Sequence, residues 1–218
     1  MSKVNQELDR MLEQWYPDVY RFCFLMSCQA QAAEEIAFQT FLYAGSEPEF
    51  EGIQPEEEAF HLFRRAAQTC EDYYLRRMRR MPSRSRLQES VSFPIDDALW
   101  ELLRRPYRQK AVLFLHYNMG FSAGQIFDLL KSRTVKPERL LGSLPPLAPK
   151  LTASIMPDEE TLEQVSDELY LRFEERNVRL ENRLRNLRYV MDRAVVWIAL
   201  LILILFAAAA VYTSNLSF

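Results

Sequence analysis

Apolar positions recur along the chain at spacings of three and four, the period of a helix with one buried face. Leu8, Leu12, Trp15, Val19 and Phe22 predict a first helix. Ile36, Phe41 and Leu42 mark a second, which Gly45 and Pro48 end. Phe60, Phe63, Ala67, Cys70 and Tyr74 predict a third, running into Arg76, Arg77, Arg79 and Arg80. The stretch 81–94 carries Ser and Pro without a helical stripe and reads as a linker between two helical domains. Leu99, Leu102 and Leu103 then predict a short helix broken at Pro106. Ala111, Leu113, Phe114, Leu115 and Tyr117 predict another, stopped at Gly120. Ser122 followed by Gln125 is a capping-box pattern, expected to open the next helix. A turn over 131–136 leads to Pro137 and a short helix, whose interior Pro137 excludes it from, so that Pro137 belongs in its first turn. Helix, tight turn and second short helix form a helix-turn-helix outline.

Four prolines within 142–157 predict a second linker. Beyond it, 158–193 reads as a long charged helix. Asn177, Leu180, Leu184, Leu187 and Met191 follow a 3-4 stride. Two courses stay open for it: a parallel coiled coil leading to a membrane, with self-association through 158–193, or a helix folding back on the domains ahead. Residues 195–212 are apolar and uncharged. As a helix they span about 27 Å, close to the ~30 Å hydrocarbon core. Arg183, Arg185, Arg188 and Arg193 precede this stretch and no charge follows it. The positive-inside rule then places the N-terminal domains in the cytoplasm and the short end outside. The expected architecture is all-α. A helical domain spans 1–80, a linker 81–94 and a helix-turn-helix domain 95–151. A linker and juxtamembrane helix cover 152–193, a transmembrane helix 194–213 and an external end 214–218.

Charge sharpens this picture. The net charge of −3 hides a strong asymmetry: residues 1–60 sum to −9, whereas 61–151 sum to +9. A contiguous basic stretch of that size suits a polyanion. Only 5 Gly leave little room for a phosphate-binding loop or a turn-dense β-sandwich. Cys23, Cys28 and Cys70 are odd in number, match no zinc spacing and read as small buried residues of a reducing compartment. His61 and His116 sit in no triad, metal or phosphate motif, so no enzyme, metal or cofactor is expected.

The order of these parts resembles the extracytoplasmic-function type of bacterial RNA polymerase sigma factor. The family's A-E-D-l-v-Q-e-v-F stretch is similar to Ala33-Glu34-Glu35-Ile36-Ala37-Phe38-Gln39-Thr40-Phe41, with Phe38 at the Gln position. Leu62, Cys70 and Asp72 fit a second motif, in which His61 and Gln68 replace Trp and Asn. Lys110-Ala111-Val112, Gly120-Phe121-Ser122, Gln125-Ile126-Phe127 and Thr134-Val135-Lys136 resemble the second-domain motifs. The resemblance covers about 140 of the 218 residues. It implies that Glu34, Glu35, Gln39 and Phe41 contact core RNA polymerase, although Phe38 and Phe41 also suit core packing. It implies that Arg64, Arg65, Arg76, Arg77, Arg79 and Arg80 meet promoter DNA phosphates, with Tyr73 and Tyr74 stacking on an unpaired base. Arg133, Thr134, Lys136 and Arg139 would lie at the upstream promoter element. Function is then expected to be that of a membrane-tethered, sigma-like regulator of transcription initiation. The alternative is a degenerate membrane adaptor or anti-sigma-type regulator that has lost promoter reading.

Overall fold

The structure, a computed structural model, describes residues 3–44, 53–77, 81–130, 136–144, 152–156, 164–172 and 175. The expected membrane span at 195–212 and most of the long charged helix lie outside the described residues. Among the described residues the chain is all-helical, with no strand and no helix long and apolar enough to cross a membrane.

Helix α1 (Lys3–Ser27) buries Leu12, Val19 and Phe22 of the predicted stripe and leaves Trp15 half-buried, while its last turns, Phe22 to Ser27, are buried on every side. Pro17 lies inside it and removes one rung of its backbone ladder. Cys28 then takes a left-handed conformation, φ 53°, which turns the chain into α2 (Ala30–Ala44). Gly45 follows directly. Helix α3 (Pro55–Arg77) completes a three-helix layer with α1 and α2.

The stretch 81–94, read as a linker because it shows no helical stripe, holds a short helix. Ser83 caps a short helix, α4 (Arg84–Glu89), through its Oγ to the Arg86 amide. Leu87, Phe93 and Ile95 are buried, so 81–95 is docked on the body of the protein. Six residues are too few to display a helical stripe, which is why the pattern alone missed this helix.

Asp96 caps α5 (Asp97–Arg104) by accepting from the Leu99 amide at 2.7 Å. Helix α6 (Tyr107–Tyr117) follows Pro106 and ends before Gly120, whose φ of 71° only glycine adopts without strain. The predicted capping box forms in both directions. Gln125 Oε1 accepts from the Ser122 amide at 2.9 Å, and Ser122 Oγ accepts from the Gln125 amide at 3.3 Å. It opens α7 (Ala123–Leu130). Helix α8 (Pro137–Ser143) has Pro137 in its first turn, as expected.

The two helical halves share one core. The described residues up to Leu171 fall in a single compact unit. Phe22 of α1 meets Phe114 of α6, ring centroids 5.6 Å apart. Phe63 of α3 meets Phe114 at 6.1 Å and Phe121 at 6.2 Å. The Tyr107 hydroxyl donates to the Ala67 carbonyl across the same seam at 2.9 Å. Helix patterning shows that these aromatics face inward, but it does not say against which neighbour.

The seam also holds buried ionisable groups. Lys110, 2% exposed, points its Nζ at Cys28 Sγ and the Leu103 carbonyl, both at 3.4 Å. Burial pushes the Cys28 thiol up, and the Lys110 ammonium partly offsets this. Burial likewise raises Cys23, helped by a hydrogen bond with Cys70, and it raises the Tyr16 and Tyr107 hydroxyls. Each of these groups holds its proton more tightly in the fold than in the unfolded chain. Their stabilisation is therefore complete below about pH 8.5, where an unfolded thiol begins to ionise. It falls as pH rises through that value and then through about 10, where an unfolded tyrosine ionises. Urea unfolding midpoints are expected to drop between pH 7.5 and 10, and Cys23→Ala should flatten the first part of the drop. A midpoint independent of pH over this range would contradict the buried placement of these groups.

Candidate protein-docking face

Helix α2 divides cleanly. Ile36, Ala37, Phe38, Thr40 and Phe41 are buried, whereas Gln31, Glu35 and Gln39 are exposed at four-residue intervals and Glu34 is half-buried. The four-residue interval stacks side chains on one helix face. Gln39 Nε2 donates to Glu35 Oε1 at 3.0 Å, tying two of them together. The Thr40 hydroxyl donates to the Ile36 carbonyl at 2.8 Å, and the residue is fully buried.

Phe41 takes a different place from that expected of a polymerase contact. It is fully buried and packs on Tyr16 at 5.8 Å. The reason is geometric: Phe41 falls on the same stripe as Ala37, which faces α1. Of the four residues assigned to polymerase, the structure keeps Glu34, Glu35 and Gln39 together at the surface.

These three line a groove of about 820 Å³ between α2, α3 and the helical residues 164–171. Among the described residues that line it, the carboxylates are Glu34, Glu35, Asp72 and Glu168, and there is no lysine or arginine. Ile36, Phe38 and Val165 supply its apolar surface. Tyr73, expected on the DNA side, also lines this groove, and its hydroxyl donates to Gln29 Oε1 at 2.9 Å.

The described DNA-side residues lie on α3 and at the start of α8. Arg64 and Arg65 are half-buried on α3, and the Arg65 guanidinium lies 4.1 Å from the centre of the Tyr43 ring. That cation–π contact directs Arg65 to α2. Tyr74, Arg76 and Arg77 fall on the last turn of α3, where side chains are outside the described residues, as are Arg79, Arg80, Arg133 and Thr134 altogether. Lys136 caps α8 with its backbone and is exposed, as is Arg139 one turn on. With seven residues, α8 extends only about 10 Å.

The histidines occupy structural positions. His116 Nδ1 lies 2.9 Å from the Phe121 carbonyl, bracing the α6–α7 turn, and the His61 ring meets Phe60 edge-on at 5.9 Å. Among the described residues no group of three or more His, Cys, Asp or Glu is placed to hold a metal ion.

A helix folding back on the domains ahead was one of the two courses open for 158–193, but sequence reasoning did not name the residues that form the third wall of the groove. Val165 and Leu169, four apart, are the buried pair of residues 164–171. The apolar stride noted in the long charged helix begins only at Asn177, so this earlier pair stood outside it. Comparison with known protein families, curated proteins and solved structures finds no match to this chain.

Proposed function

We propose that the chain is a membrane-tethered, sigma-like regulator that engages core RNA polymerase through the exposed face of α2. The observation that carries this reading is the grouping of Glu34, Glu35 and Gln39 on one acidic groove. They come from the stretch that resembles the family's polymerase-docking motif. Polar residues with an apolar strip between them suit a protein partner of basic character, because complementary charge speeds and orients encounter. The +9 stretch over 61–151 supports a second contact, with DNA phosphates. The apolar stretch 195–212 supports attachment to a membrane with residues 1–193 in the cytoplasm. Full-length chain, extracted in mild detergent, should co-purify with core RNA polymerase. Absence of retention at low salt would overturn the reading.

The short α8 favours a specific form of this proposal. A reading helix of about 10 Å reaches few bases in a major groove. It supports an adaptor that holds polymerase without selecting promoters. Chromatin pull-down separates the two forms: discrete promoter peaks support a promoter-reading factor, and diffuse recovery supports the adaptor.

A further inference from the structure

The groove on α2 is already partly covered by this chain. Residues 152–156 and 164–171 return across the first helical layer. Thr152 and Ile155 are fully buried. The Asn118 side chain, after α6, donates to the Thr152 hydroxyl. The Arg21 Nε of α1 donates to the Ile155 carbonyl at 3.0 Å. Further on, Leu169 is fully buried, Val165 is 9% exposed, and the Tyr170 hydroxyl donates to the Asp9 carboxylate of α1. The returning chain thus has fixed points on both helical halves.

Its hold is apolar: Val165 and Leu169 bury surface, which attaches it. Glu168, exposed, lines the same groove as Glu34, Glu35 and Asp72. Gln164, Val165 and Glu168 also stand where a partner of Glu34, Glu35 and Gln39 would need space.

We infer that residues 152–156 and 164–171 form an internal strap that competes with polymerase for the α2 face. This rests on the polymerase reading above. A partner that needs the open face meets only the fraction of molecules in which the strap is displaced, and its apparent affinity falls by that fraction. Because the strap leads in sequence to the apolar stretch 195–212, events at the membrane have a direct covalent route to it.

The test uses the full chain in detergent micelles and two variants of opposite sign. The double variant Val165→Asp/Leu169→Asp removes the apolar hold. Glu168→Lys places a positive charge on a groove lined by Glu34, Glu35 and Asp72 without touching the core, since Glu168 is exposed. Hydrogen exchange of the 164–171 amides reports strap opening, and titration with core RNA polymerase reports the face. The double variant is expected to exchange at least tenfold faster in 164–171 and to bind polymerase about tenfold more tightly. Glu168→Lys is expected to exchange more slowly and to bind severalfold more weakly. Faster exchange in the double variant with unchanged polymerase affinity overturns the strap and leaves the polymerase reading standing. If exchange rises throughout the double variant, the fold itself has been lost and Glu168→Lys decides: slower exchange without weaker binding overturns the strap. No binding by wild type or either variant overturns the polymerase reading, and the strap with it.

Discussion

Replacing Phe114 by Ala is expected to lower the unfolding free energy by about 3–5 kcal/mol. Phe114 is fully buried at the centre of the seam, against Phe22 at 5.6 Å and Phe63 at 6.1 Å. Truncation loses the transfer energy of the ring and leaves a cavity, because α1, α3 and α6 are each held by other contacts and cannot close on it. It also removes aromatic pairs worth about 0.5–1.5 kcal/mol each beyond their burial. The seam joins both halves, so the unfolding transition should shift as one step. Phe114→Leu keeps most of the volume and should cost less than half as much. Urea unfolding followed by circular dichroism measures both. A loss under about 1 kcal/mol for Phe114→Ala would mean that the two halves do not share a core.

The second large effect is expected at Glu58. Its carboxylate is 2% exposed, yet it is held from two sides. Arg10 donates at 2.6 and 3.2 Å, and Trp15 Nε1 donates at 2.9 Å. This ties the N-terminal half of α1 to the first turns of α3. Glu58→Ala leaves the indole N–H without its acceptor and Arg10 without its counter-charge. Removing one partner of a fully buried pair costs about 3–5 kcal/mol. Arg10 is 43% exposed and regains water, so the expected loss is smaller, about 2–3 kcal/mol. Glu58→Gln retains an acceptor for Trp15 and should recover about half of it. A Trp15 fluorescence change in Glu58→Ala, absent in Glu58→Gln, would locate the effect at the indole. Equal losses in the two variants would contradict the assigned hydrogen bond.

Much of the fold was legible because local signals and tertiary packing agree. Pro106 and Gly120 mark helix limits through backbone constraints, although Pro17 is carried inside α1. Ser122 and Gln125 specify a cap from side-chain chemistry alone. Pro137 could stand only in a first turn, and it does. What escaped the sequence was of a different kind. The six-residue α4 is shorter than two turns, so no stripe could declare it. The pairing of Phe22 with Phe114 joins residues far apart in the chain, and periodicity reports a buried face without naming what covers it. The site was legible to the same degree. The stretch 34–41 was singled out, but a motif does not say which of its members face outward. Helix geometry divides them, sending Phe41 into the core and leaving Glu34, Glu35 and Gln39 on the groove, whose floor the buried Phe38 helps to line. The strap depends on two apolar residues, Val165 and Leu169, in an otherwise polar run, and its docking is a tertiary fact.

The central claim is that the acidic α2 face holds polymerase. Its most direct measurement is the affinity of core RNA polymerase for the full chain beside the Glu34→Lys/Glu35→Lys variant, in detergent at fixed low salt. Glu35 is exposed and Glu34 half-buried, and the variant should keep a single cooperative urea transition, measured beside the affinity. Wild type is expected to bind saturably and the variant at least tenfold more weakly. Equal affinity of the two, with the fold intact, would contradict the account.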